Sequence, residues 1–99
     1  MKTRNKLIQQ RQNTSINFLN ASQSFKDLKL SFVNQGKLED QGETWSTDQL
    51  TKTWTLVFSN NQNLEEFKNH PLCIEYYENM LDHNSRNQIS FSIETDEIE

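Results

Sequence analysis

The chain has 99 residues, of which 32% are apolar types, and a formal net charge of −4 with a sequence pI of about 5.1. That length fits one domain, residues 1–99, with a small core. The acidic balance argues against nucleic acid as the main ligand, because phosphate binding needs a basic field. Mean hydropathy is −0.92, low enough to raise disorder, but two Trp, two Tyr and six Phe give the chain something to bury.

The first segment, residues 4–11, reads as a short strand or the start of a helix; Leu7-Ile8 is its only apolar pair. Asn13-Thr14-Ser15 is a run of helix-capping types, and Ile16, Phe18, Leu19 and Phe25 follow. Together they predict a helix over about 15–26. Leu28, Leu30 and Phe32 then alternate with Lys29 and Ser31, the period of a strand. Gly36 and Gly42 predict a turn or bulge. Glu43 to Ser46 reads as strand and Ser46-Thr47-Asp48-Gln49 as a turn.

Thr51 to Ser59 is the clearest strand, with Trp54, Leu56 and Phe58 on one face and Thr53, Thr55 and Val57 on the other. Asn63 before Leu64-Glu65-Glu66 predicts a helix start with Glu66 at its third position. Pro71 ends that helix and suits the first turn of another. The new helix carries Leu72, Cys73, Tyr76, Tyr77, Met80 and Leu81 as an apolar stripe, and Asp82-His83-Asn84-Ser85 closes it. Ile89, Phe91 and Ile93 alternate with polar residues as the last strand. The order is (β)αββαβ, an α+β ferredoxin-like pattern with helices over one face of an antiparallel sheet.

Charge is uneven. Lys2, Arg4, Lys6 and Arg11 precede the first acid, Asp27, while Glu94, Asp96, Glu97 and Glu99 crowd the end. This reads as a solvated pair of termini, a basic arm, or a charge match between subunits. Cys73 is the single cysteine, so no intramolecular disulfide forms, and its apolar neighbours suggest a buried thiol. No signal peptide or membrane-length apolar span is visible, and the cytoplasm is the expected compartment.

The residues offer little chemistry. His70 and His83 have no partners at ligand spacing, so no metal is expected. With only Gly36 and Gly42 there is no phosphate loop, and no cofactor is expected. His70, before Pro71, is expected to cap a helix or lie exposed; it could act as a general base if it faced a cavity. A Cys73–His70 dyad would need a third, orienting group. Tyr76 and Tyr77 diverge by about 100° on a helix. One is expected in the core and the other at a cavity mouth or subunit seam, which makes His70, Tyr76 and Tyr77 weak catalytic candidates. Trp54 is expected in the core, and Trp45, partly exposed, is with Tyr77 a candidate interface residue.

The stretch Gly42-Glu43-Thr44-Trp45, Lys52 to Ser59 and Asn63-Leu64-Glu65-Glu66-Phe67-Lys68-Asn69-His70-Pro71 resembles the dimeric α+β barrel superfamily, which includes antibiotic-biosynthesis monooxygenases and stress-responsive barrel proteins. The resemblance covers about residues 42–81. It implies a homodimer with sheets packed face to face and a cavity between sheet and helices. The superfamily hosts cofactor-free oxygenases, isomerases and haem-degrading enzymes. The haem-degrading members carry a Trp at the end of the third strand, where this chain has Phe58, and His70 here sits beside a helix break. Thr53, Thr55, Ser90 and Ser92 make the sheet face a poor dry interface, favouring wet or edge-to-edge contact.

Three readings follow. The first is a non-enzymatic homodimer that holds a small apolar ligand. The second is a cofactor-free monooxygenase using His70 with Tyr76 or Tyr77. The third is an interaction or assembly protein, of the kind found among phage accessory proteins, acting through Trp45 and the 36–49 loop.

Overall fold

The computed structural model describes residues 1–98; Glu99, part of the acidic run, lies outside them. The elements run β1 (Lys2–Gln10), α1 (Gln23–Asn34), β2 (Leu38–Trp45), β3 (Thr51–Phe58), α2 (Asn61–Lys68), α3 (Pro71–Asn87) and β4 (Ser90–Ile98). The four strands form one sheet in the order β2-β3-β1-β4, antiparallel throughout. This is the ferredoxin-like arrangement the pattern predicts, with the first segment settled as a strand.

The first helix lies later than predicted. Ser22, not residues 13–15, caps it: its hydroxyl accepts from the Phe25 amide at 3.2 Å. Asn13 instead turns the chain locally, its Oδ1 accepting from the Ser15 amide at 3.0 Å. The segment predicted as a strand from Leu28 to Phe32 is therefore helical. Phe25, Leu28 and Phe32 stand at helical spacing and are buried, while Leu30 is exposed. Gly36, at φ 71°, ends α1: its amide bonds to the Val33 carbonyl and that of Lys37 to the Phe32 carbonyl, both at 3.0 Å.

β2 begins at Leu38 and passes through a bulge between Asp40 and Glu43, where Gly42 takes φ 78°. The turn at 46–49 forms as predicted, with Asp48 accepting from the Ser46 hydroxyl and the Leu50 amide. Asn60 rather than Asn63 caps α2, accepting from the Asn63 amide at 2.9 Å. α3 starts at Pro71 but runs through Asp82–Ser85 to Asn87, and Gln88 closes it in the left-handed region. The polar run continues the helix because Asn84 points inward, where its amide donates to the Gln9 Oε1 at 3.0 Å.

Phe25, Leu28 and Phe32 of α1 meet Leu56 and Phe58 of β3 and Leu64 and Phe67 of α2 in the core. Strand register places Thr3, Asn5, Leu7 and Gln9 on this same face, opposite Phe58, Leu56, Trp54 and Lys52. The other face carries Arg4, Lys6 and Ile8, the threonines and Val57 of β3, and Ser92, Glu94 and Asp96 of β4. The basic start and acidic end of the chain meet here as cross-strand neighbours within one molecule. Arg4 stands opposite Asp96, with its Nε donating at 3.0 Å, and Lys6 stands opposite Glu94.

Candidate ligand cavity

A cavity of about 510 Å³ lies between the core face of the sheet and helices α2 and α3. Its inner wall includes Phe58 and Phe67, both buried, and its lining reaches Ile74 and Ile93, which are 44% and 45% exposed. It therefore runs from the core to the surface between α3 and β4. A mostly apolar cleft with a few polar groups is the ordinary form of a small-molecule site.

Three aromatic residues shape one side. Tyr76 stacks on Phe25 with ring centres 4.4 Å apart and meets Trp54 edge-on at 6.5 Å. Trp54 is held from behind: its indole N–H donates to Asp40 Oδ1 at 3.0 Å, and Lys29 Nζ lies 2.8 Å from Asp40 Oδ2 and 4.9 Å from the indole ring centre. Partial burial pushes the Asp40 carboxyl up, but hydrogen bonds from Lys29, the Gly42 amide and Trp54, with the Lys29 charge, outweigh it and hold the group below its ordinary value. The bulge thus delivers a carboxylate that orients a cavity wall.

Tyr77 lines the other side and meets Phe91 edge-on at 6.1 Å. Burial, with the charges of Glu43 and Cys73, pushes the Tyr76 hydroxyl up to about 12. Burial pushes the Cys73 thiol, also in the lining, up to about 11. Both groups stay protonated at neutral pH, so Tyr76 offers a hydrogen bond and Cys73 is a poor nucleophile. Opposite them, Thr95 Oγ1 donates to Asn5 Oδ1 at 3.0 Å, which leaves the Asn5 amide nitrogen as a donor toward the lining. The charged residues in the lining are one lysine and one glutamate, Lys68 and Glu78.

Of the residues singled out in the sequence, Tyr76, Tyr77, Cys73 and Trp54 come together here. His70 does not. It caps α3, its Nδ1 accepting from the Leu72 amide at 3.2 Å, and forms no part of the lining. His83 ties the 11–22 connection to α3, its Nε2 lying 2.7 Å from the Asn17 carbonyl oxygen. Trp45, 41% exposed, stands apart from the cavity and packs edge-on against Phe18, with Arg11 and Lys52 over the rings. Asn5, Thr95 and Asp40 escaped the sequence reading, because β1–β4 register and the β2 bulge bring them into play.

Among the described residues no group of three or more His, Cys, Asp or Glu could hold a metal ion, and no helix is long and apolar enough to cross a membrane. No family model matches the chain, and no curated protein matches it. Two solved structures share its fold. A conserved protein of unknown function from Bacteroides thetaiotaomicron, described as a possible oxidoreductase, superposes with a TM-score of 0.69 at 12% identity, covering 98% of this chain and 97% of that one. Rv0793 from Mycobacterium tuberculosis superposes with a TM-score of 0.57 at 9% identity, covering 98% of this chain and 95% of that one. At these identities the likeness shows the fold alone.

Proposed function

We propose that the chain is a small-ligand binding protein whose cavity takes a compact, uncharged, largely apolar molecule, and that it works as a homodimer of the dimeric α+β barrel type. The cavity carries this reading: about 510 Å³ of mainly aromatic and aliphatic lining, with neutral donors at Tyr76 and Asn5. An ion would lose its hydration there for one lysine and one glutamate of opposite sign, whereas an apolar ligand gains from burial. A small core supports pairing through the helix-free sheet face, where the half-buried Ile8 lies among hydroxyl side chains.

The enzymatic alternative asks for a base in the cavity. Tyr76 and Cys73 are held protonated and the His70 Nδ1 is engaged as a cap, which favours binding over proton abstraction. The test is a titration with the neutral fluorophore 1-aminoanthracene. Saturable binding is expected in the wild type and its loss in Thr95→Trp, which fills the cavity from an edge strand. Binding that ignores Thr95→Trp would reject the cavity as the site. Light scattering over a dilution series tests the dimer, and a monomer at micromolar concentration would remove that part of the proposal.

A further inference from the structure

The two central strands of the sheet, β1 and β3, give the cavity five side chains: Leu7, Trp54, Leu56, Phe58 and Asn5. Asn5 is the odd member. It stands half-buried in mid-strand, with Leu56 across from it on β3 and Leu7 next on the same face. Asparagine is depleted from strands, and a leucine or valine here would extend the apolar surface on either side. The fold makes little use of the amide. Among the described residues Asn5 makes one side-chain hydrogen bond, accepting from Thr95 Oγ1 at 3.0 Å. Thr95 lies on the exposed edge strand β4, where water would serve its hydroxyl as well. Gln9, on the same face of β1, differs: it is enclosed with Asn84 and ties α3 to the sheet.

What Thr95 does is orient. A hydroxyl that gives its proton to Oδ1 turns the other end of the amide, Nδ2 with its two N–H groups, toward the cavity. The central wall thus presents one fixed donor in the midst of Leu7, Leu56 and Ile93. A ligand that brings only hydrocarbon to this place takes water from the amide nitrogen and gives nothing back. A ligand that brings an acceptor oxygen restores the bond, so the penalty falls on the wrong molecule. A carboxylate has the oxygen but would lose its hydration in a cleft whose lysine and glutamate, Lys68 and Glu78, cancel in charge. A neutral carbonyl group meets both demands.

We propose that Asn5 determines the specificity of the cavity and that the ligand is an apolar ketone or ester, whose carbonyl oxygen accepts from Asn5 Nδ2 while its hydrocarbon body lies against Leu7, Leu56 and the aromatic wall. Thr95 is a positioning residue: it fixes which end of the amide faces inward. The assignment rests on the cavity as a ligand site and adds the functional group that the ligand must carry. It also explains why a central strand keeps a residue that the sheet does not need.

The probes are 2-acetylnaphthalene, the alcohol formed by its reduction, and 2-ethylnaphthalene, which share one skeleton and are titrated as competitors of 1-aminoanthracene. Each variant is compared with the wild type for the same probe, so differences in hydrophobicity among the three cancel. Asn5→Leu should weaken the ketone about fivefold, the worth of one neutral hydrogen bond, while 2-ethylnaphthalene binds as well or better. The melting temperature of Asn5→Leu should be unchanged or higher, which separates loss of the anchor from loss of the fold. Thr95→Val leaves the central strand untouched and frees the amide to turn. An amide that presents Nδ2 half of the time should weaken the ketone about twofold and spare the hydrocarbon. Equal effects of Asn5→Leu on ketone and hydrocarbon would overturn the proposal and leave the cavity standing. Weakening of the alcohol alone would show the amide oxygen facing inward and overturn it equally. If all three probes ignore Thr95→Trp, the cavity reading fails and this assignment falls with it.

Discussion

Removing the buried amide pair between β1 and α3 should be costly one residue at a time and nearly free in combination. Gln9 and Asn84 are each 2% exposed and joined by one hydrogen bond of 3.0 Å, and the Asn84 Oδ1 has no partner among the described residues. Gln9→Leu keeps the bulk but strands the Asn84 amide nitrogen beside the oxygen that already lacks a partner. An unsatisfied buried group costs about 1–3 kcal/mol, so the loss should fall in that range and the melting temperature should drop by roughly 5–20 °C at this chain length. Asn84→Ala strands the Gln9 oxygen and should cost less, about 1–2 kcal/mol, because alanine favours the helix and the orphan oxygen disappears. In the double variant, leucine and alanine nearly conserve the combined volume and no amide is stranded. Its stability should lie within about 1 kcal/mol of the wild type or above it. Urea unfolding followed by circular dichroism measures all four proteins and gives the coupling term. A Gln9→Leu cost below about 0.5 kcal/mol would show that water reaches Asn84, and the buried pair would lose its role in holding α3 to the sheet.

Three further predictions concern the cavity and its supports. Asp40 has a folded value below its ordinary one, so its contribution is present above the unfolded value and is lost as pH falls through the folded value; Asp40→Asn should flatten the acid limb of the stability profile below about pH 4, and an unchanged limb would contradict this. Cys73, held up to about 11, should react slowly with iodoacetamide at pH 7, accelerate steadily above pH 9, and be shielded by 1-aminoanthracene; rapid alkylation at neutral pH would show a thiol less buried than described. His70→Ala should cost about 0.5–2 kcal/mol as a lost cap yet leave 1-aminoanthracene binding unchanged, and a changed affinity would bring the imidazole back to the cavity.

The parts of this fold that were legible are those whose signal is local. Trp54, Leu56 and Phe58 announce β3 by alternation, and Pro71 can only begin a helix where it stands. Leu28, Leu30 and Phe32 misled because they fit period two, while Phe25, Leu28 and Phe32 also fit a helix; Gly36, which closes α1, was the better guide. Asn60, Asn61 and Asn63 are all capping types, so sequence alone could not choose among them. β1 stayed open between strand and helix because its buried residues include Thr3 and Gln9, which no hydrophobic pattern marks. Within the cavity, Tyr76 and Cys73 were visible as parts of an apolar stripe. Asn5 and Thr95 were not, because 90 residues separate them and only sheet register joins them. Asp40 was equally hidden, since its role depends on a bulge that redirects one side chain toward Trp54.

The central claim is that a neutral apolar molecule enters between the sheet and α3. Its most direct test is an NMR titration of isotope-labelled protein with 1-aminoanthracene. Shifts should concentrate on the Trp54 indole, the Tyr76 and Tyr77 rings and the Asn5 side-chain amide, with the helix-free face at Thr53 and Thr55 unmoved. Shifts confined to that face, or to Trp45 and Phe18, would contradict the account and move the binding site out of the cavity.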